Sequence, residues 1–248
     1  MAQLLNIITV TKDDLAGIAS TIKSTEQFRV CSGVRQIIVD SSSEDISAKV
    51  KYLAEEAEKV EYVRQEPDGI AAAFNLGLRL AESEWVWFLN GGDKVHREVE
   101  PDKILYLLSE SRADAIIFEY QLMDSEKRIK HPPMWSMWPP INSWIPHPAT
   151  LTRRNLYAQY GNFNESLEIA MDYEFWMRSF AKEAVVDLIS IPLTEYDTSG
   201  ISSTQTAKTS REAVRVIRMH IWTLIKIWLN NGLTMFTAWY FFSKRSKK

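Results

Sequence analysis

The feature that most restricts this chain is an alternation that fills its first ninety residues. "LLNIITVT" (4–11), "VRQIIVD" (34–40), "VEYVRQE" (60–66) and "EWVWFLN" (84–90) are short runs rich in β-branched, aromatic and other apolar residues. Between them lie segments of helical character: 14–28 with Leu15, Ile18 and Ile22 on one side, the charged stretch 45–59 with Ser43 placed to cap it, and "AAAFNLGLRLAES" (71–83). Runs that are apolar at nearly every position suit strands covered on both faces of a parallel sheet. Strands that alternate with helices need right-handed crossovers and give an α/β fold. Ligands of open α/β sheets sit beyond the carboxyl ends of the strands. Here those ends carry Thr9 and Thr11, Asp40, Glu66 to Asp68, and the turn Asn90, Gly91, Gly92, Asp93.

Downstream the pattern loosens. Residues 102–110 read as a helix and "ADAIIFEYQLM" as a strand. "HPPMWSMWPPINSWIPHPAT" reads as an irregular loop or lid carrying Trp135, Trp138 and Trp144. Helices are expected from 153 and from about Met171, a late strand in "AVVDLISIPLTEYD", and a polar loop in "TSGISSTQ". The last 38 residues read as helical, so the chain divides into a domain at 1–205 and a C-terminal helical region at 206–248.

Composition bounds the function. Of 248 residues, 46% are hydrophobic, enough for one large core. A net charge of −3 gives no electrostatic footprint for nucleic acid. Cys31 is the only cysteine, so no internal disulfide forms and a reducing cytosol is expected. The N-terminal apolar run is too short for a signal peptide and lacks a basic flank. No uncharged apolar stretch is long enough to span a bilayer.

"NIITVTKDD", "QIIVDSSSEDIS" and "QEPDGIAAAFNLGLRLAESEWVWFLNGGD" together resemble the nucleotide-sugar domain of family 2 glycosyltransferases of GT-A fold. "HPATLTRRNLY", "FNESLEIAMDYEFWMR" and "GISS" are similar to bacterial members that build colanic acid, capsule and O-antigen polysaccharides. The resemblance spans residues 4 to about 205. It implies a Rossmann-like, mainly parallel sheet with helices on both faces, followed by a helical appendage. It also implies a UDP-, GDP- or dTDP-linked sugar donor and a lipid-linked saccharide acceptor.

A diphosphate held against protein needs a divalent cation or positive groups, and Mg²⁺ or Mn²⁺ prefers oxygen ligands shared with substrate phosphates. The resemblance assigns that metal to Asp93, on a turn whose glycines remove Cβ atoms where a sugar must pass. Asn90 and Gly92 stand where the family commonly has further carboxylates, which thins the metal motif. Donor binding is assigned to Thr9, Thr11, Asp40, Asp68, Asn75, Asn90, Gly91, Gly92, Asp93 and His147, with Arg64, His96, Ser202 and Ser203 as weaker candidates. The general base of an inverting transfer is assigned to Asp172, with Glu174 as second choice.

Each assignment has a structural counterpart. Asp40 also reads as a helix cap, Thr9 as a strand residue, Asp68 as part of a β-turn, Asp172 as a first-turn acid favoured by the helix dipole, and His147 as a core histidine. The tryptophans read either as a stacking surface for sugar or lipid or as a core plug.

In the tail, Arg211, Arg215 and Arg218 share a helix face, and aromatic residues precede the basic "SKRSKK". This pattern fits peripheral attachment to the cytoplasmic face of the inner membrane, or a helix packed on the core. Two other functions fit less of the chain. One is a nucleotide-sugar-binding protein of the same fold with weakened catalysis. The other is a nucleotidyltransferase-like enzyme, for which the expected Gly-rich basic N-terminal loop is missing.

Overall fold

The computed structural model describes residues 3–130, 145–180, 184–200, 204–222 and 225. Four strands form in the order expected: β1 (Leu5–Thr11), β2 (Val34–Asp40), β3 (Val60–Arg64) and β4 (Trp85–Phe88). They alternate with α1 (Leu15–Arg29), α2 (Glu44–Glu55) and α3 (Ile70–Leu80). Then follow β5 (Lys94–Val95), α4 (Pro101–Glu110), β6 (Ala115–Leu122), β7 (Arg128–Ile129), a 3-10 turn at His147–Ala149, β8 (Thr150–Arg153) and α5 (Arg154–Tyr160). The described chain closes with α6 (Met171–Phe180), β9 (Val186–Tyr196) and α7 (Thr206–Met219).

All these strands join one sheet in the order β3-β2-β1-β4-β8-β6-β9-β5, with β7 paired to β6. The β3-β2-β1-β4 half is parallel. β8 is antiparallel to both β4 and β6, and β9 is parallel to β6. Because two reversals cancel, β6 and β9 run in the direction of β4, and their carboxyl ends lie along the same edge of the sheet.

The near-continuous apolar runs divide their side chains between two cores by strand alternation. Ile8 and Val10 of β1 join Phe74 of α3 and Phe175 of α6 on one face. Leu5 and Ile7 join Phe28 of α1 and Ile104 and Leu108 of α4 on the other. The buried indoles of Trp85 and Trp87 donate to the carbonyls of Leu108 (3.1 Å) and Pro148 (2.7 Å), so the largest side chains enter the core with their polar atoms satisfied.

Two features differ from the sequence reading. Thr150–Arg153, read as the end of a loop and the start of a helix, is a sheet strand between β4 and β6. Four residues just after a proline-rich stretch carry too little periodicity to show this. Ser43 occupies the N-cap position of α2 without capping through its side chain. Its hydroxyl donates to Asp13 Oδ1 (2.9 Å), tying the end of β1 to the start of α2. Of the two readings of the tail, α7 fits the helix packed on the core: Val216 is fully buried in the first core, and Glu212 accepts backbone N–H groups ahead of α6.

One close approach fixes the spacing of α3 and β1. A Cβ on Gly77 would lie 2.3 Å from Ile8 Cγ2. Gly77→Ala is expected to lower stability by about 1–3 kcal/mol through overpacking, despite the roughly 1 kcal/mol that alanine gains over glycine in helix propensity. Equilibrium urea denaturation measures this; an unchanged or raised midpoint would contradict the packing described.

Candidate active site

The carboxyl edge of the sheet opens into a cavity of about 1290 Å³. Thr11, Asp68, Asn90, Gly91, Asp93, His147 and Asp172 all line it. So do Lys12, Tyr120, Tyr196 and Asp197, which the sequence reading did not single out. Its acidic lining residues are Asp68, Asp93, Glu168, Asp172 and Asp197, and Lys12 is the one Lys or Arg among the described lining residues.

At the floor is the turn after β4. Asp93 N donates to Asn90 O (3.1 Å), and Gly92 takes φ +102°, a conformation open to glycine but strained for other residues. Thr21 of α1 clamps the turn, accepting from Gly92 N (3.0 Å) and donating to Asp93 O (2.7 Å). The glycines are needed for contacts within the protein. A Cβ on Gly91 would lie 3.1 Å from Thr11 Oγ1, and one on Gly92 would lie 2.6 Å from Asp197 Oδ2. The sequence reading had reserved that space for a sugar.

Asp93 is 2% exposed. Its Oδ1 accepts from Asp197 N (2.9 Å), while its Oδ2 has no hydrogen-bond partner. Burial pushes its carboxyl up to about 7, with the neighbouring Asp197 charge acting in the same direction.

The cavity's other side is built from α6, α7 and the 3-10 turn. Asp172, second residue of α6, is partly buried; its Oδ1 accepts from Tyr173 N (2.6 Å), and burial raises its carboxyl to about 6. His147 packs among Phe74, Phe88 and Phe163 at ring-centroid distances of 5.1, 5.0 and 5.5 Å. Its Nε2 is buried without a partner, and burial pulls its pKa down to about 3, so the imidazole is neutral. Ala213, Val214 and Ile217 of α7 line the cavity with Ile169 and Met171, giving this wall an apolar character.

Other residues assigned from sequence stand behind this lining, and Gly92 contributes through its backbone conformation. Asp40 is fully buried. Its Oδ1 accepts from Ser42 N (2.9 Å), and its Oδ2 accepts from the hydroxyls of Ser47 (2.5 Å) and Tyr62 (3.0 Å). Thr9 Oγ1 accepts from Gln36 Nε2 (2.9 Å) inside the core. Asn75 bridges α3 to the chain ahead of α6: its amide donates to Phe163 O (3.0 Å) and Glu165 Oε1 (2.7 Å) and accepts from Phe163 N (3.0 Å). Arg64 donates to the carbonyls of Asp40 (3.0 Å) and Gln65 (2.6 Å). His96 is buried against Gln121 (2.9 Å). Glu174 is held by Arg178 (2.7 Å) and His220 (3.0 Å), away from the cavity. Trp135, Trp138, Trp144, Ser202, Ser203 and the basic terminus lie outside the described residues.

Asp197 was within reach of the carboxyl-edge rule. It follows β9 directly, but only the pairing of β9 with β6 shows that this strand ends at the same edge.

Residues 7–185 match the family model "Glycosyl transferase family 2", and the chain belongs to that family. An uncharacterized glycosyltransferase of Mycobacterium tuberculosis is 26% identical over 210 residues, covering 82% of this chain and 78% of its own length. A PGL/p-HBAD biosynthesis glycosyltransferase of Mycobacterium bovis is 21% identical over 192 residues, covering 75% and 73%. Among solved structures, the mannosyltransferase PcManGT from Pyrobaculum calidifontis, in complex with GDP-Man and Mn²⁺, has a TM-score of 0.68 at 14% identity. TarS 1-349 of S. aureus, in complex with UDP, has a TM-score of 0.66 at 17% identity. The matches cover 89% and 88% of this chain, which spans 65% of each of those longer chains. The fold is GT-A, and the protein is a glycosyltransferase.

The floor of the cavity fits a hard divalent cation in one respect: a buried carboxylate oxygen on Asp93 faces it unpartnered. Among the described residues no cluster of three or more His, Cys, Asp or Glu is arranged to hold a metal. An ion there would complete its coordination with oxygens of substrate or water.

The buried carboxyl has a consequence for stability. Its pKa is raised from 3.8 to about 7 by folding, so between those values the unfolded chain binds fewer protons than the fold. Stability from this group is therefore full at low pH and lost as pH rises through that window. Without divalent ions, Asp93→Asn is expected to melt above the parent protein at pH values above about 7. The difference should shrink on acidification toward about 4. Thermal melts across pH test this, and a parent protein that melts higher than the variant at alkaline pH would contradict it.

Proposed function

We propose that this protein is an inverting glycosyltransferase that moves a sugar from a UDP-, GDP- or dTDP-linked donor to a lipid-linked saccharide in bacterial surface polysaccharide synthesis. The observation that carries the donor side is the charge of the cavity. Among the described lining residues five are acidic, with Glu168 paired to Lys208, against the one lysine Lys12, so a nucleotide diphosphate entering alone meets net repulsion. A divalent cation, Mg²⁺ or Mn²⁺, held by Asp93 would reverse that and neutralise the departing diphosphate. Lys12, beyond the end of β1, is placed to add a positive charge on the phosphates. PcManGT, described with GDP-Man and Mn²⁺, supports a donor and metal of this kind.

Asp172 is the proposed general base. It lines the cavity from the start of α6, and its raised pKa brings it near the range in which a carboxylate takes up a proton effectively. Its ionised oxygen takes the proton of the acceptor hydroxyl as the hydroxyl oxygen bonds to the anomeric carbon. The bond from that carbon to the diphosphate breaks on the opposite face, and its electron pair leaves with the diphosphate. Glu174, ion-paired with Arg178 and hydrogen-bonded to His220, is not free for this work.

The apolar stripe of Ala213, Val214 and Ile217 beside Asp172 supports an acceptor with an apolar portion. Near the end of the described chain, Met219, Ile221, Trp222 and Ile225 are exposed, which supports peripheral attachment at the cytoplasmic face of the inner membrane. No described helix is long and apolar enough to cross a membrane. The transferase unit is proposed to be residues 1–205, with α7 at the start of the helical region 206–248 completing its acceptor wall.

Asp172→Asn is expected to lower kcat by about 10²- to 10⁴-fold while leaving donor affinity unchanged. In the parent enzyme kcat/KM should rise with pH through about 6, because the base must be ionised. Radiolabelled sugar transfer and calorimetric donor titration read both. Unchanged turnover in the variant would remove Asp172 as base; donor binding with no transfer by the parent enzyme would favour a binding protein of the same fold.

A further inference from the structure

We propose that Asp197 is a second carboxylate ligand of the donor-site cation, so that the site is divided between the turn after β4 and the end of β9. The inference rests on the donor-site reading above and names how a turn with a single carboxylate holds its ion.

Three observations converge on it. First, Asp197 is fixed to Asp93 by its own backbone, whose N–H donates to Asp93 Oδ1 at 2.9 Å. Second, its carboxylate lies over the turn, 2.6 Å from where a side chain on Gly92 would begin. Glycine at that position is therefore the condition for the carboxylate to reach the floor. Third, the oxygens around it lack partners. Asp93 Oδ2, Asn90 Oδ1 and Thr11 Oγ1 are buried without hydrogen bonds, and Thr11, 7% exposed, lines the same cavity from the neighbouring strand. Buried polar atoms are seldom left unpaired, and a gathering of oxygens that includes a carboxylate, an amide carbonyl and a hydroxyl offers the ligand types a hard cation takes.

Asp197 retains capacity for that ion. Ser199 donates to Oδ1 from its backbone (2.8 Å) and to Oδ2 from its hydroxyl (2.8 Å), while a carboxylate offers about four lone-pair sites. No salt bridge reaches Asp93 or Asp197 among the described residues. Two neighbouring carboxylates with no protein cation repel each other, and a divalent ion between them turns the repulsion into binding.

The test is uptake of Mn²⁺ by the full chain, followed by the loss of the free-ion electron paramagnetic resonance signal, with UDP and with GDP in parallel. Asp197→Asn and the smaller Asp197→Ser are compared with Asp187→Asn, on an exposed residue near the other end of β9. Thermal melts without metal show which variants are folded. The parent protein and the Asp187 variant should take up Mn²⁺ alike, and a folded Asp197 variant should bind it at least about tenfold more weakly. Mn²⁺ bound equally by a folded Asp197 variant and the parent would overturn the proposal and leave the donor-site reading intact. Failure of the parent protein to take up Mn²⁺ with either nucleotide would overturn both.

Discussion

A buried carboxylate with one oxygen unpartnered is the constraint around which this protein is arranged. Placing Asp93 at 2% exposure without a cationic neighbour is costly unless something else meets its charge. The fold nonetheless invests heavily in holding it there. Thr21 of α1 binds the backbone on both sides of Gly92, the residue after β9, Asp197, supplies its N–H, and Gly92 accepts a left-handed conformation in the turn that leads into β5, the strand paired with β9. Such convergence on a disfavoured group is what the proposed cation site accounts for.

Around this point the polar residues of the sheet edge divide into two kinds. Asp40, Thr9, Asn75 and Arg64 spend their hydrogen-bonding capacity within the protein, and they fix the strand ends, the start of α2 and the approach to α6. Thr11, Asn90, Asp93 and His147 keep atoms unpaired and line the cavity. The first group gives the second its positions. α7 plays a similar double part. Glu212 accepts the N–H groups of Glu168 (3.0 Å), Ile169 (2.8 Å) and Ala170 (2.9 Å); burial alone would raise its pKa, but these bonds hold it below the usual carboxylate value. The same helix turns Ala213 and Ile217 toward the cavity, so the carboxylate at the start of α6 and the apolar wall beside it share one support.

Much of this fold was legible in the sequence because its first half is governed by local pattern. β1 to β4 announce themselves by continuous apolar runs, and their carboxyl ends carry the polar residues that the α/β rule looks for. What escaped depends on partners distant in sequence. β8 is four residues long and is a strand only because β4 and β6 flank it. Asp197 joins the site only because two antiparallel steps restore the direction of β9. Asp40 and Asn75 show the converse limit: their residue type at a strand end or in a helix signals a specific bond, but not whether a ligand or the protein supplies it. Sequence likewise offered the glycines of the turn as room for a sugar, whereas Thr11 and Asp197 fill that room.

The central claim, that the sheet edge holds a cation-bridged nucleotide diphosphate at Asp93, is tested most directly by a crystal of the full chain grown with Mn²⁺ and UDP or GDP, with anomalous scattering at the manganese edge. The account predicts one strong peak within coordinating reach of Asp93 Oδ2, with both phosphates of the nucleotide beside it. An ordered nucleotide with its phosphates elsewhere in the cavity, and no manganese against Asp93, would contradict it.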